Sequence, residues 1–185
     1  MGGSDTVERL FIAVPLTDQA REKIAVALPP LPGRRVPPQN WHFTLRFLGD
    51  TERGRRDQLA LTLRRVRLGR SFSIRFDGLG AFPRAKRARI IWLGVTDGAR
   101  ELVSLAEAVE SAVRRSDFPA EERPFKPHLT LSRVEPPRAV ADLLSAQPAL
   151  DVIMPVTEIT LVRSSLGAGP AKYEVAEKFL LGESK

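Results

Sequence analysis

The sequence predicts an α+β fold of two lobes, with antiparallel sheets facing a central cleft and helices on the outside. Three observations predict it. Strand-like and helix-like runs follow one another without the regular βαβ rhythm of a parallel sheet, which favours sequential antiparallel pairing. The order helix, strand, helix, paired strands occurs twice within the 185 residues. The chain's two histidines open the same tetrapeptide pattern, His42-Phe43-Thr44-Leu45 and His128-Leu129-Thr130-Leu131, one in each repeat. With nine Thr and 23 Leu in the chain, composition alone yields that coincidence at both histidines about four times in a hundred thousand.

Residues 9–15, β-branched and aromatic and closed by Pro15, read as the first strand. Thr17 suits an N-cap for a helix to about residue 28, with Ala20, Ile24 and Leu28 on one face. Prolines and Gly33 then mark a loop running to Asn40. Residues 41–48 alternate, so Trp41, Phe43, Leu45 and Phe47 share one face while His42, Thr44 and Arg46 share the other. Thr51 is the expected cap of a second helix, residues 52–68, carrying Leu59, Leu63 and Val66. Two strands, 72–79 and 90–95, are expected on either side of the basic segment 83–89. A third helix over 99–116 places Leu102, Leu105, Ala106, Val109 and Val113 on one face. A proline-bounded loop leads to the strand 128–133. A short helix at 139–145 and strands at 152–156, 159–163 and 173–180 complete the chain. Residues 1–8 are expected to be a disordered lead-in, 9–181 one bilobal domain, and 182–185 a tail.

The chain has no cysteine, which excludes disulfides, thiolate catalysis and thiolate metal sites. That suits a reducing cytoplasm. No apolar stretch approaches the roughly 18 residues of a membrane helix. The net charge of +7 favours phosphate-rich partners, because arginines neutralise phosphates and release counterions.

On a strand, residues i and i+2 face the same way, about 6.6–6.8 Å apart. Each motif therefore offers one imidazole and one hydroxyl, His42 with Thr44 and His128 with Thr130, from a strand whose other face is apolar. Two such units facing each other can hold a tetrahedral phosphate, the hydroxyls donating to its oxygens. One neutral histidine can take a proton while the other, protonated, gives one. An imidazole pKa near ~6.5 makes both forms accessible at neutral pH. The scheme requires no metal or other cofactor, and no carboxylate stands near either histidine to complete a zinc set. A Gly-x-Ser-x-Gly elbow and a P-loop are both absent. For the accompanying cation, Arg46 lies on the histidine face by parity. Arg133, five residues after His128, can reach that face only if its strand ends or bulges near Ser132.

These motifs, with their flanks in residues 41–49 and 123–133, the opening run 9–15 and the run 161–166 followed by Gly169, Pro170 and Tyr173, resemble the two-histidine (2H) phosphoesterase superfamily. Within it the chain is similar to the bacterial and archaeal RNA 2′,3′-cyclic phosphodiesterases, historically called 2′-5′ RNA ligases. The resemblance spans roughly residues 9–181. It implies metal-independent hydrolysis of an RNA 2′,3′-cyclic phosphodiester to a 2′-phosphomonoester. It implies His42 as proton donor, His128 as acceptor, and Thr44, Thr130 and Arg133 as phosphate contacts, with Phe125 as a base-stacking candidate. Ser132 stands where alanine is common in the family, a change expected to be tolerated. A cytoplasmic monomer acting on RNA ends or a small cyclic nucleotide is the corresponding expectation. The alternatives are reversible 2′-5′ ligation, hydrolysis of a small cyclic nucleotide or ADP-ribose cyclic phosphate, and a non-catalytic RNA-binding module.

Overall fold

The structure is a computed structural model that describes residues 7–146, 150–165, 167 and 169–183. In order it contains β1 (Val7–Pro15), α1 (Asp18–Ala27), β2 (Arg34–Arg35), β3 (His42–Glu52), α2 (Arg53–Arg65), β4 (Phe72–Phe82), β5 (Ala88–Val95), α3 (Ala99–Arg114), β6 (Leu129–Arg138), α4 (Ala141–Ser145), β7 (Ile153–Val156), β8 (Glu158–Ser165) and β9 (Lys172–Leu180). The strands form two antiparallel sheets, β3-β1-β8-β9 and β2-β6-β5-β4-β7. This is the expected α+β class.

Thr17 caps α1 as expected, its Oγ1 accepting the Ala20 N–H at 3.3 Å. Thr51 does not cap α2. It is a buried residue of β3, which runs on to Glu52, and α2 starts at Arg53 without a side-chain cap. The strand is longer than expected because β1 begins earlier: Val7 and Glu8 pair with Glu52 and Thr51. The rest of the expected lead-in, residues 1–6, lies outside the described residues, as do Leu166 and residues 184–185 of the tail. Gly182 of that tail forms a parallel bridge with Arg70.

The lobes do not follow the two halves of the chain. The four-stranded sheet takes β1 and β3 from the first half and β8 and β9 from the end. The five-stranded sheet takes β2 from the first half and sets it beside β6. Thus each sheet contains sequence-distant neighbours, and the two motif-bearing strands, β3 and β6, end up in different sheets that approach each other directly.

One apolar core joins the lobes. Ile12 and Val14 of β1, Phe43 of β3, Leu63 of α2, Val109 of α3 and Leu129 of β6 are all almost fully buried within it. The expected face of α3 is the buried one, with Ala112 added. Burying a side chain of this size contributes roughly 1.5–3 kcal/mol. The motif strands are therefore held from behind by the same packing that holds the fold together. Among the described residues, no helix is long and apolar enough to cross a membrane.

Candidate active site

Between the sheets lies a cleft of ≈ 290 Å³ lined by His42, Thr44, His128, Thr130 and Arg133, together with Arg34, Arg35, Phe47 and Tyr173. No Asp or Glu is among its lining residues. Both motifs thus meet in one place, as the strand parity of His and Thr requires.

The two histidines are held in the same manner. His42 Nδ1 is 2.7 Å from the Asn40 carbonyl oxygen, and His128 Nδ1 is 2.7 Å from the Lys126 carbonyl oxygen. A carbonyl can only accept, so Nδ1 carries the hydrogen in both rings and Nε2 keeps a lone pair when the ring is neutral. Each imidazole is therefore oriented by the backbone two residues before it. The Asn40 side chain fixes its own segment by donating to the Ala171 carbonyl at 2.8 Å.

The ring environments differ. Phe11 stacks on His42 at 4.7 Å between centroids, and Tyr173 meets it edge-on at 5.3 Å. This burial pushes the His42 pKa down from 6.5 to about 4. Its hydrogen bond to Asn40 opposes the shift, while the charges of Arg133 and His128 add to it. His128 has Phe82 edge-on at 5.0 Å and Trp92 at 6.4 Å. Its pKa is also lowered by burial, with the Lys126 carbonyl opposing. Among the described residues the hydroxyls of Thr44 and Thr130 have no hydrogen-bond partner in the protein.

Two β-bulges decide what else reaches the cleft. Ile12 pairs with Arg46 and Ala13 with Thr44, so Leu45 is an extra residue in β3. Ile91 pairs with Ser132 and Trp92 with Thr130, so Leu131 is the extra residue in β6. The bulged residue is the leucine of each motif. Each bulge reverses the alternation downstream of it. Leu131 and Ser132 are consecutive buried residues, and Arg133 returns to the cleft face. The condition for Arg133 to join the site is met.

The same bulge corrects the first motif. Arg46 leaves the histidine face and turns toward α3, where Nε donates to Glu110 Oε2 at 2.7 Å, Nη1 to the Phe47 carbonyl at 2.6 Å and Nη2 to the Pro119 carbonyl. Its side chain is only 10% exposed. Phe47, expected to be in the core, instead stands in the cleft and is 63% exposed. Phe125 lies elsewhere: it borders a separate hollow with Leu45 and Arg46 and packs against the core. The aromatic surfaces of the cleft are Phe47 and Tyr173. Sequence reasoning missed both, along with Arg34 and Arg35. The one signal for Phe47 was its offset, five residues after His42 as Arg133 is five after His128.

Among the described residues, no cluster of three or more His, Cys, Asp or Glu is arranged to hold a metal ion. The site offers two imidazoles with free Nε2 atoms, two free hydroxyls and a guanidinium. This set can bind an anionic tetrahedral group and move protons on either side of it.

Comparison with known proteins gives concordant matches. The sequence model described as the 2′-5′ RNA ligase superfamily matches residues 14–168. The RNA 2′,3′-cyclic phosphodiesterase of Escherichia coli is 34% identical over 178 residues, covering 94% of this chain and 97% of that protein. The RNA 2′,3′-cyclic phosphodiesterase of Thermus thermophilus is 36% identical, with 94% and 90% covered. Among solved structures, E. coli LigT complexed with 3′-AMP superposes with a TM-score of 0.79 at 32% identity, covering 95% of this chain and 99% of that one.

Proposed function

The chain belongs to the 2′-5′ RNA ligase superfamily, and we propose that it hydrolyses RNA 2′,3′-cyclic phosphodiester ends to 2′-phosphomonoesters, with His42 and His128 exchanging protons across the cleft. The observation that carries this reading is the matched pair of imidazoles. Each is oriented through Nδ1 by its own backbone, with Nε2 left free, in a cleft lined by a guanidinium and no carboxylate.

His128 accepts a proton from water through Nε2 as the water oxygen forms its bond to phosphorus. The bond from phosphorus to O3′ breaks, and His42, as the imidazolium, gives its proton to O3′. The product is a 2′-phosphate with a free 3′-hydroxyl. Thr44 and Thr130 donate to the non-bridging oxygens, and Arg133 balances the charge that develops on them. The depressed pKa of His42 leaves it neutral in the empty cleft at neutral pH. A bound phosphate anion offsets the positive charges that hold it down, so substrate entry favours the protonated form that the acid role needs. Phe47 and Tyr173 offer π-faces to a base, each stack being worth ~1–3 kcal/mol.

The test is product analysis with a nucleoside 2′,3′-cyclic phosphate in the presence of EDTA. The expected result is the 2′-phosphate, with turnover unaffected by the chelator. Exclusive 3′-phosphate product, or loss of turnover with EDTA, overturns the mechanism. Binding of RNA without turnover favours a binding module. Cytoplasmic location and a monomeric state belong to the same proposal, and are tested by cell fractionation and sedimentation.

A further inference from the structure

The cleft holds more positive charge than one phosphate needs, and the surplus sits on backbone built to hold it. Arg34 and Arg35 form β2, pair with Arg133 and Ser132 of β6, and line the cleft beside Arg133. Both are exposed, and among the described residues neither guanidinium has a carboxylate partner. The segment is pinned on both sides. Ser132 Oγ donates to the Pro32 carbonyl at 2.6 Å, Val36 N–H donates to the Leu131 carbonyl at 2.8 Å, and Trp41 Nε1 donates to the Val36 carbonyl at 3.0 Å. Gly33, at φ +85°, passes so close to β6 that a Cβ would stand 2.4 Å from the Arg133 carbonyl oxygen. A two-residue edge strand anchored this way buries no apolar side chain of its own. What it delivers is two guanidiniums at a fixed place next to a third.

A cyclic phosphodiester carries a single negative charge, which Arg133 can answer. Three unpaired guanidiniums repel one another until further anionic groups arrive, and their planar donors match phosphate oxygens in pairs. We propose that Arg34 and Arg35 hold the phosphodiester immediately upstream of the reacting end, so that the substrate is an RNA chain and not a free cyclic mononucleotide. This rests on the reaction proposed above, which defines the reacting end. The two sides of the cleft suit it: the four-stranded sheet contributes the aromatic rings of Phe47 and Tyr173, and the five-stranded sheet contributes the cations.

The test compares adenosine 2′,3′-cyclic phosphate with a short oligoribonucleotide ending in a 2′,3′-cyclic phosphate, in the wild type and in the double variant R34Q/R35Q. The quantity read is the ratio of the two kcat/KM values. At ~50 mM salt the wild-type ratio should exceed ~10, and the variant should lose most of it, with a log–log salt slope shallower by about 1.4 for two lost single-strand phosphate contacts. An equal ratio in the two proteins overturns the role of β2 and leaves the hydrolysis itself standing. If neither substrate reacts, the proposed reaction fails, and the role of β2 is then decided by equilibrium binding of the same oligoribonucleotide and of adenosine 2′-phosphate. Weaker oligoribonucleotide binding by the variant, with a smaller salt slope, supports it; equal binding overturns it.

Discussion

Between pH 7 and pH 4, His42 should withdraw about 3 kcal/mol of folding stability, by its own titration alone. In the folded chain its pKa lies at about 4, because Phe11 and Tyr173 exclude water from the ring and Arg133 repels its charge. In the unfolded chain it returns to 6.5. Below pH 6.5 the unfolded chain takes up a proton that the folded chain refuses, so stability falls as the pH falls and levels off once the folded form also protonates. The loss reaches about 2 kcal/mol by pH 5 and about 3 kcal/mol by pH 4, at ~1.36 kcal/mol per pKa unit. Urea unfolding of wild type and His42→Asn at pH 7 and pH 5 isolates this contribution, since every other titrating group is common to both. The gap between the two proteins should move by about 2 kcal/mol in favour of the variant at pH 5. NMR offers a direct check, because two histidines give two imidazole Cε1–H signals. The His42 signal should have its midpoint near 4 and move up when inorganic phosphate fills the cleft. A midpoint near 6.5, or a stability gap that ignores pH, is incompatible with a desolvated His42 ring.

Other perturbations follow from the same geometry. Arg133→Gln should lower kcat/KM by ~10²–10³-fold in steady-state assays, through loss of charge stabilisation at the phosphate. It should also raise the His42 midpoint, because the Arg133 charge is one of the causes that lower it. The alkaline limb of kcat/KM against pH, which reports the free protein, should lie below 6.5, since both histidines are shifted down; a limb above 7 would count against the environments described. Gly80→Ala places a Cβ 2.1 Å from the Trp92 ring, an overpacking worth ~1–3 kcal/mol in a thermal melt. It should also reduce kcat, since Trp92 borders His128. Ser132→Ala should cost ~1 kcal/mol in urea unfolding, by leaving the Pro32 carbonyl without its donor.

What the sequence made legible, and what it concealed, divides along the periodicity of the strands. His42 with Thr44 and His128 with Thr130 precede the bulges, so simple alternation placed them correctly on one face. Arg46, Phe47 and Arg133 follow the bulges, and there alternation alone fails. Arg133 was placed with the site by the resemblance, while Arg46 and Phe47 exchanged roles. A bulge at an ordinary leucine has no compositional mark, because its cause is pairing with a distant strand, β1 for Leu45 and β5 for Leu131. Helix faces were readable because their contacts repeat over several turns. Two-residue β2 was not, since Arg34 and Arg35 read as loop until β6 lies beside them. Ser132 shows the same limit: its tolerance was inferred from its neighbours in sequence, while its partner is Pro32.

The interleaving of the sheets makes the catalytic cleft a late product of synthesis. Both histidines and their threonines have left the ribosome by Thr130, yet β1, which carries the Phe11 ring that stacks on His42, pairs on its far side with β8, and Tyr173 on β9 comes later still. A nascent chain that stops before Glu158 holds every proton-transferring group and phosphate contact proposed here, but has only half of one wall. Chemical competence therefore waits for the last strands, and a truncated chain exposes the hydrophobic edge of β1 in place of a working site.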